Sequence, residues 1–406
     1  VPFRSSPCTL LISLVSVLAT AAVAVPAAAA ETCGGLSATI VGTSGNNEIL
    51  GTEGDDVIVA GSGSDHIIGT DGDDVVCGGD GIDFVYGGLG NDVLYGGGAR
   101  DYIDGGDGDD VLHGDAGDDR LEAHSAGDDT VHGGPGRDEL AWDDTLQPVI
   151  IDVTTQTAVQ DGTDRWTSVE NLSGSHGDDT FIGGPGDDNF LGEGGADTVS
   201  GGSGNDVLTV EEGTVEGGAG DDTIYGGSVV LAGAGDDEVG FAGPGDRIET
   251  GAGGDYVLIG DGAIVNTGRG ADHVSLRSGR STVNTGPGGD LIHFKGDVSS
   301  SVHGGSALDI LMLDRRRAAI VDLASGWVRS GRTVRATVRG IEWIRGSNLA
   351  DRLRGSIRSE TLIGGRGNDH LVGRSGADTL DGSAGRDRAD GGTGFDHCTA
   401  EVVLRC

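Results

Sequence analysis

Large side chains are scarce: aromatics make up 4% of the 406 residues and methionine occurs once. Such a chain cannot fill a thick globular core, so its fold must be thin. Positive charge is scarce as well, with 26 Lys plus Arg against 66 Asp plus Glu and a formal net charge of -40. That much self-repulsion opposes compaction unless cations neutralise it. The same polyanionic surface repels phosphate backbones, so no specific nucleic-acid partner is expected. The motifs HExxH, GxSxG and CxxC are absent, which removes the usual signals of a zinc hydrolase, a serine hydrolase and a zinc-thiolate site. Histidines fall singly, as His66, His113 and His370 do, and read as solvated decoration. Beyond the first thirty residues no apolar run is long enough to span a bilayer, so the mature chain is expected to have no membrane span.

Residues 1–30 stand apart. Arg4, a mostly apolar stretch from Leu10 to Leu18 and the small residues Ala28-Ala29-Ala30 have the order of a secretory signal peptide, the competing reading being a membrane anchor. Export places the remaining Cys33, Cys77, Cys398 and Cys406 in an oxidising compartment. Four cysteines allow three connectivities. Proximity favours Cys33 with Cys77 and Cys398 with Cys406, each closing a terminal segment onto its neighbours, against the alternative of unpaired thiols.

What the chain has in abundance is glycine, 80 residues, in a fixed rhythm. From Gly42 it divides into nines such as GTEGDDVIV, GGDGIDFVY and GGLGNDVLY, running with one inserted residue to Ala141. The eighth residue is always Ile, Val or Leu, as in Ile58, Ile67, Val76, Val85 and Leu94. Glycines permit a tight turn, the aspartate closes it, and a short strand follows with one apolar residue inward. A turn and a strand every nine residues make a two-sided coil of eighteen, stacked at ~4.8 Å through strand hydrogen bonds. Equivalent turns then form two columns of carboxylates and carbonyls, all-oxygen cages suited to a hard cation.

The pattern GGxGxDxUx, as in GGLGNDVLY and GGPGDDNFL, resembles the calcium-binding nonapeptide repeat of RTX proteins. The resemblance implies an all-β fold, a parallel β-roll or β-helix solenoid, in which sixth-position aspartates and turn carbonyls of neighbouring coils hold multiple Ca2+ ions. In the first block those aspartates are Asp56, Asp65, Asp74, Asp83, Asp92, Asp101, Asp110, Asp119, Asp129 and Asp138. A second block supplies Asp179, Asp188, Asp197, Asp206, Asp222, Asp237, Asp255, Asp272, Asp290 and Asp309. A third supplies Asp369, Asp378, Asp387 and Asp396. In the later part of the second block the aspartate turns recur at 15 to 19 residues, and the opposite turns mostly lack aspartate. Calcium on that face is therefore in doubt, while a single-column site between successive coils is still expected.

The expected division is a cap and first repeat block over 31–141, a modified linker over 142–173, the second block over 174–312, an Arg-rich modified linker over 313–345, and the third block with its disulfide cap over 346–406. The two breaks match each other: VIIDVTTQTAV and SVENLSGS, around Asp152 and Glu170, parallel AIVDLASGWV and GIEWIRGS, around Asp322 and Glu342. They read as modified coils of one solenoid, or alternatively as unrelated linkers. From Arg315 to Arg358 eleven arginines face three acids. This segment is either a docking patch for an anionic cell-envelope polymer or a solvent face that offsets neighbouring acidity. Two function classes follow. One is a secreted or cell-surface-associated, non-enzymatic calcium-binding element serving as surface, spacer or adhesion module; the other is a diverged β-helix polysaccharide lyase or hydrolase. Without calcium the acidic, glycine-rich repeats are expected to be disordered.

Overall fold

A computed structural model describes residues 31–406 apart from 124–125, 297 and 331–333. The expected signal peptide, 1–30, lies outside the described residues. Every regular element among the described residues is a β-strand.

Successive strands alternate between two facing sheets. Sheet I starts with Ile40–Val41 and Val57–Ser62 and ends with Val402–Leu404; sheet II starts with Glu48–Leu50 and His66–Asp71 and ends with His397–Thr399. Each strand pairs in parallel with the strand one coil on, so that Ile58 lies beside Val76 and Val76 beside Leu94. The nine-residue rhythm thus gives an 18-residue step, as the spacing predicts. Within a strand the outer residues alternate with inward ones, and the inward ladder of sheet II, Ile67, Val85, Ile103 and Leu121, is fully buried. Each such side chain contributes about 1.5–3 kcal/mol of burial, which is how a thin seam only two side chains across holds the sheets together. Glycine is required at the turns: Gly79 and Gly81 take φ of 109° and 136°, a region side-chain-bearing residues avoid.

At both breaks sheet I gains a meander. Ile150–Asp152, Thr157–Val159 and Thr163–Thr167 lie side by side, the middle strand antiparallel to both others. The outer two pair in parallel with Thr180–Ile182 and Thr130–His132. Ala319–Asp322, Trp327–Ser330 and Val334–Arg339 repeat this arrangement between Ser301–His303 and Arg352–Arg354. Sheet II continues past both breaks with adjacent parallel strands, Glu139–Ala141 beside Asn171–Ser173 and Ile310–Met312 beside Trp343–Arg345. The chain therefore leaves the coil path on one side only.

Disulfides join Cys33 to Cys77 and Cys398 to Cys406, the pairing that proximity favours, with Cα atoms 5.7 and 6.0 Å apart. Cys33 lies in a small antiparallel pair, Thr32–Cys33 with Leu36–Ser37, which is thereby fastened to the third strand of sheet I.

Candidate metal sites

The sixth-position aspartates fall on two edges. Turns passing from sheet I to sheet II carry Asp65, Asp83, Asp101, Asp119 and Asp138, then Asp188, Asp206, Asp222, Asp237, Asp255, Asp272, Asp290 and Asp309, then Asp378 and Asp396. Turns in the other direction carry Asp56, Asp74, Asp92, Asp110 and Asp129, then Asp179 and Asp197, then Asp369 and Asp387. Within an edge each carboxylate is tied to the coil before it. The Asp56 amide donates to Asp74 Oδ1 at 2.8 Å, and the Asp74 amide donates to Asp92 Oδ1 at 2.7 Å. On the other edge the Asp65 amide reaches Asp83 Oδ1 and the Asp83 amide reaches Asp101 Oδ1, both at 2.8 Å.

Several members of these ladders are not in the repeat pattern. Glu170 Oε2 accepts the Asp138 amide at 2.9 Å and Glu342 Oε2 the Asp309 amide at 3.2 Å, so the paired glutamates of the two breaks carry the first ladder onward. Asp164 and Asp351 hold amides on the second edge, from Asp129 at 3.2 Å and from Ala319 at 2.6 Å. Asp351 is the sixth residue of GSNLADRLR and keeps the repeat pattern, whereas spacing hides Asp164, because the meander brings residues 35 positions apart into the place of an eighteen-residue step. Asp152 and Asp322 sit elsewhere: Asp152 caps the turn at Thr154 and Thr155, and Asp322 pairs with Arg374 at 2.9 Å.

The second carboxylate oxygen is the informative one. In seventeen of the twenty-four aspartates Oδ2 is buried and has no hydrogen-bond partner. The exceptions are Asp56, Asp129, Asp179, Asp188, Asp255, Asp272 and Asp396. Fourteen of the unpaired oxygens lie over a glycine at the first turn position, whereas Asp65, Asp237 and Asp290 have Ala60, Ala232 and Thr285 there. At Gly78 an added Cβ would lie 2.6 Å from Asp83 Oδ2 and 2.7 Å from the Gly96 carbonyl oxygen of the next coil. Carboxylate and carbonyl thus converge over the first glycine of the turn, in space that the missing side chain leaves. A buried, unpaired carboxylate oxygen costs several kcal/mol in principle, and its recurrence in one direction marks a position that a cation completes. Among the described residues no three His, Cys, Asp or Glu side chains converge. A cation here therefore draws on one or two carboxylates and on backbone carbonyls, the hard oxygen set that calcium accepts and softer metals do not favour.

The electrostatics agree. Burial first, and then the like charges of neighbouring coils, push Asp110 up to about 8, Asp101 to about 7 and Asp92 to about 6. On the middle block Asp237 rises to about 7 for the same reasons. A positive ion between the coils reverses this by favouring the charged carboxylate.

Several exceptions close the oxygen from within the protein. Thr52 donates its amide to Asp56 Oδ2 at 2.7 Å and its hydroxyl at 2.9 Å. The Ser175 amide reaches Asp179 Oδ2 and the Gly184 amide reaches Asp188 Oδ2, both at 2.7 Å. Asp255 and Asp272 take the hydroxyls of Thr250 and Thr267. Asp396 is half-buried near the C-terminal end, and the turn before Asp129 contains residues 124–125, outside the described set.

No curated protein matches the chain. Among solved structures a match is the X-ray crystal structure of a hyperactive, Ca2+-dependent, beta-helical antifreeze protein from an Antarctic bacterium, 15% identical, covering 81% of this chain and 84% of that one with a TM-score of 0.27. The repeat family described as RTX calcium-binding nonapeptide repeat (4 copies) matches residues 34–67, 41–76, 50–85, 86–121, 125–141, 173–208, 213–228, 354–389 and 363–398. These windows fall on the coils whose carboxylate ladders are described above. The chain is a member of the RTX calcium-binding nonapeptide repeat family, with an all-β parallel solenoid fold and Ca2+ as its cofactor.

Proposed function

We propose that this chain is an exported calcium-binding β-roll that acts as a non-enzymatic extracellular structural, spacer or adhesion element. The observation that carries this reading is the row of buried, unpaired Oδ2 atoms, fourteen of them over a glycine and, as at Gly78 and Gly87, beside the carbonyl of the next coil. Calcium bound there neutralises the carboxylates and ties coil to coil. The chain's own part is to hold one carboxylate oxygen fixed through the amide of the preceding coil and to aim the other at the carbonyl. Seventeen aspartates, Asp65 and Asp74 among them, are ligands in this reading. Disulfides near both ends suit an oxidising compartment. Among the described residues no helix is long and apolar enough to cross a membrane.

The partner in this reading is an anionic cell-envelope polymer that engages the arginine-rich segment. Arg315, Arg345 and Arg366 line a groove of about 430 Å³ together with Ser347 and Asn348, which brings three arginines to one place on an otherwise acidic protein. Guanidinium groups pair well with carboxylate and phosphate. The test is a pull-down from the producing cell's envelope with calcium-loaded chain, chelated chain and an Arg315→Glu/Arg345→Glu variant. Capture of an anionic polymer by the loaded wild type alone supports the reading. Equal capture by all three contradicts it, and release of unsaturated uronides from polygalacturonate or alginate would point to a lyase instead.

A further inference from the structure

We propose that the coils around Asp255 and Asp272 bind no calcium, because side chains of the chain itself stand in the metal's place. This rests on the calcium reading above and refines it.

Two atoms converge in an open turn: the Oδ2 of the aspartate and the carbonyl oxygen of the first turn residue one coil on. At Gly78 these are Asp83 Oδ2 and Gly96 O. In the sequence TGAGGD the first position is Thr250, and in TGRGAD it is Thr267. The Thr250 hydroxyl bonds to Asp255 Oδ2 and lies 2.8 Å from the Thr267 carbonyl oxygen. The Thr267 hydroxyl bonds to Asp272 Oδ2 and lies 3.0 Å from the Thr285 carbonyl oxygen. These are the same two atoms, now bridged by a hydroxyl. Its single proton goes to the charged oxygen, the stronger acceptor. The Thr267 carbonyl is already satisfied by the Gly251 amide at 3.0 Å. Asp255 and Asp272 accordingly have no unpaired Oδ2, whereas Asp237 before them and Asp290 after them do. Thr285, third in the row, stands at the same turn position beside Asp290 and donates to the Gly304 carbonyl at 2.7 Å.

The opposite edge of the same coils lacks the sixth-position carboxylate. Where the other coils have the first glycine, these have Ile259, Leu276 and Phe294, all buried. Where they have the aspartate, these have Ala263, Ser281 and Ser300. The amide-to-oxygen ladder survives without charge: the Ser281 amide donates to Ser300 Oγ at 2.9 Å. An uncharged hydroxyl does for this pair what a carboxylate does for Asp65 and Asp83. Both edges therefore replace metal in the same stretch of solenoid, one by hydroxyl and one by apolar filling.

The test compares Asp272→Asn with Asp92→Asn in the full chain, counting bound calcium by equilibrium dialysis. Asp92 has open turns on both sides, so its variant should lose at least one ion per chain, while Asp272→Asn should match the wild type. A Thr250→Gly/Thr267→Gly variant should gain at least one ion, since it leaves Asp255 and Asp272 unpaired. A wild type that binds calcium and loses it on Asp272→Asn overturns this inference alone, as does a glycine variant that gains none. A wild type that binds no calcium overturns the calcium reading and this inference with it.

Discussion

The backbone amide of Asp65 donates to Oδ1 of Asp83, eighteen residues further along, at 2.8 Å. One oxygen of each carboxylate is thus a structural acceptor between coils, and the other faces the cradle over glycine. The two roles separate by substitution. Asp83→Asn keeps an acceptor for the Asp65 amide but removes charge, whereas Asp83→Ala removes both. In saturating calcium, Asp83→Ala should be less stable than Asp83→Asn by about 1–3 kcal/mol, the cost of orphaning a buried amide. Urea unfolding of the two variants checks this; equal midpoints would show that the ladder bond contributes nothing.

The raised carboxyls predict an inverted pH response. Asp110 near 8 and Asp101 and Asp129 near 7 lie above the ordinary carboxyl value of about 4 in the unfolded chain. In the metal-free chain a raised folded value stabilises the fold fully only below the unfolded value, and that stability is lost as pH rises through the window from about 6 to 8. Circular dichroism of chain freed of metal should therefore show more strand at about pH 4.5, below that window, than at about pH 8, its upper edge. With calcium the order reverses, because protons and metal compete for the same oxygens, and calcium affinity should fall as pH drops through the window.

The terminal disulfides should act locally. Cys33–Cys77 spans 44 residues and fastens the N-terminal antiparallel pair to sheet I. Cys77→Ser should cost about 2–4 kcal/mol in the first block. Hydrogen exchange should rise over residues 32–80 and stay unchanged over 361–399, since solenoid coils couple to nearest neighbours. A uniform rise along the chain would contradict this.

Much of this architecture is legible because it repeats. The inward ladder from Ile67 to Leu121 and the cysteine pairing follow from period and proximity. The breaks are less transparent: their apolar alternation announces strands, but not that Thr157–Val159 turns back antiparallel between its sequence neighbours while those neighbours pair in parallel with Thr130–His132 and Thr180–Ile182. Asp164 escapes notice for the same reason. Its Oδ2 accepts the Trp142 indole N–H at 3.1 Å, from a residue standing where other coils have glycine. Thr250 and Thr267 look like modest departures from glycine until the convergence of Asp Oδ2 and the next carbonyl is seen. A side chain's effect on a metal cradle is set by the coil stacked above it, which no single repeat displays.

The central claim is that calcium supplies the charge this fold lacks, and its most direct test is strand content as calcium is withdrawn at about pH 7.5, above the values near 7 and 6 to which Asp101 and Asp92 are raised. Circular dichroism of the full chain should lose most of its strand signal on dialysis into chelator and regain it when calcium, but not magnesium, is restored, since magnesium demands a stricter octahedron than stacked turns offer. Unchanged strand content after complete removal of calcium would contradict the account.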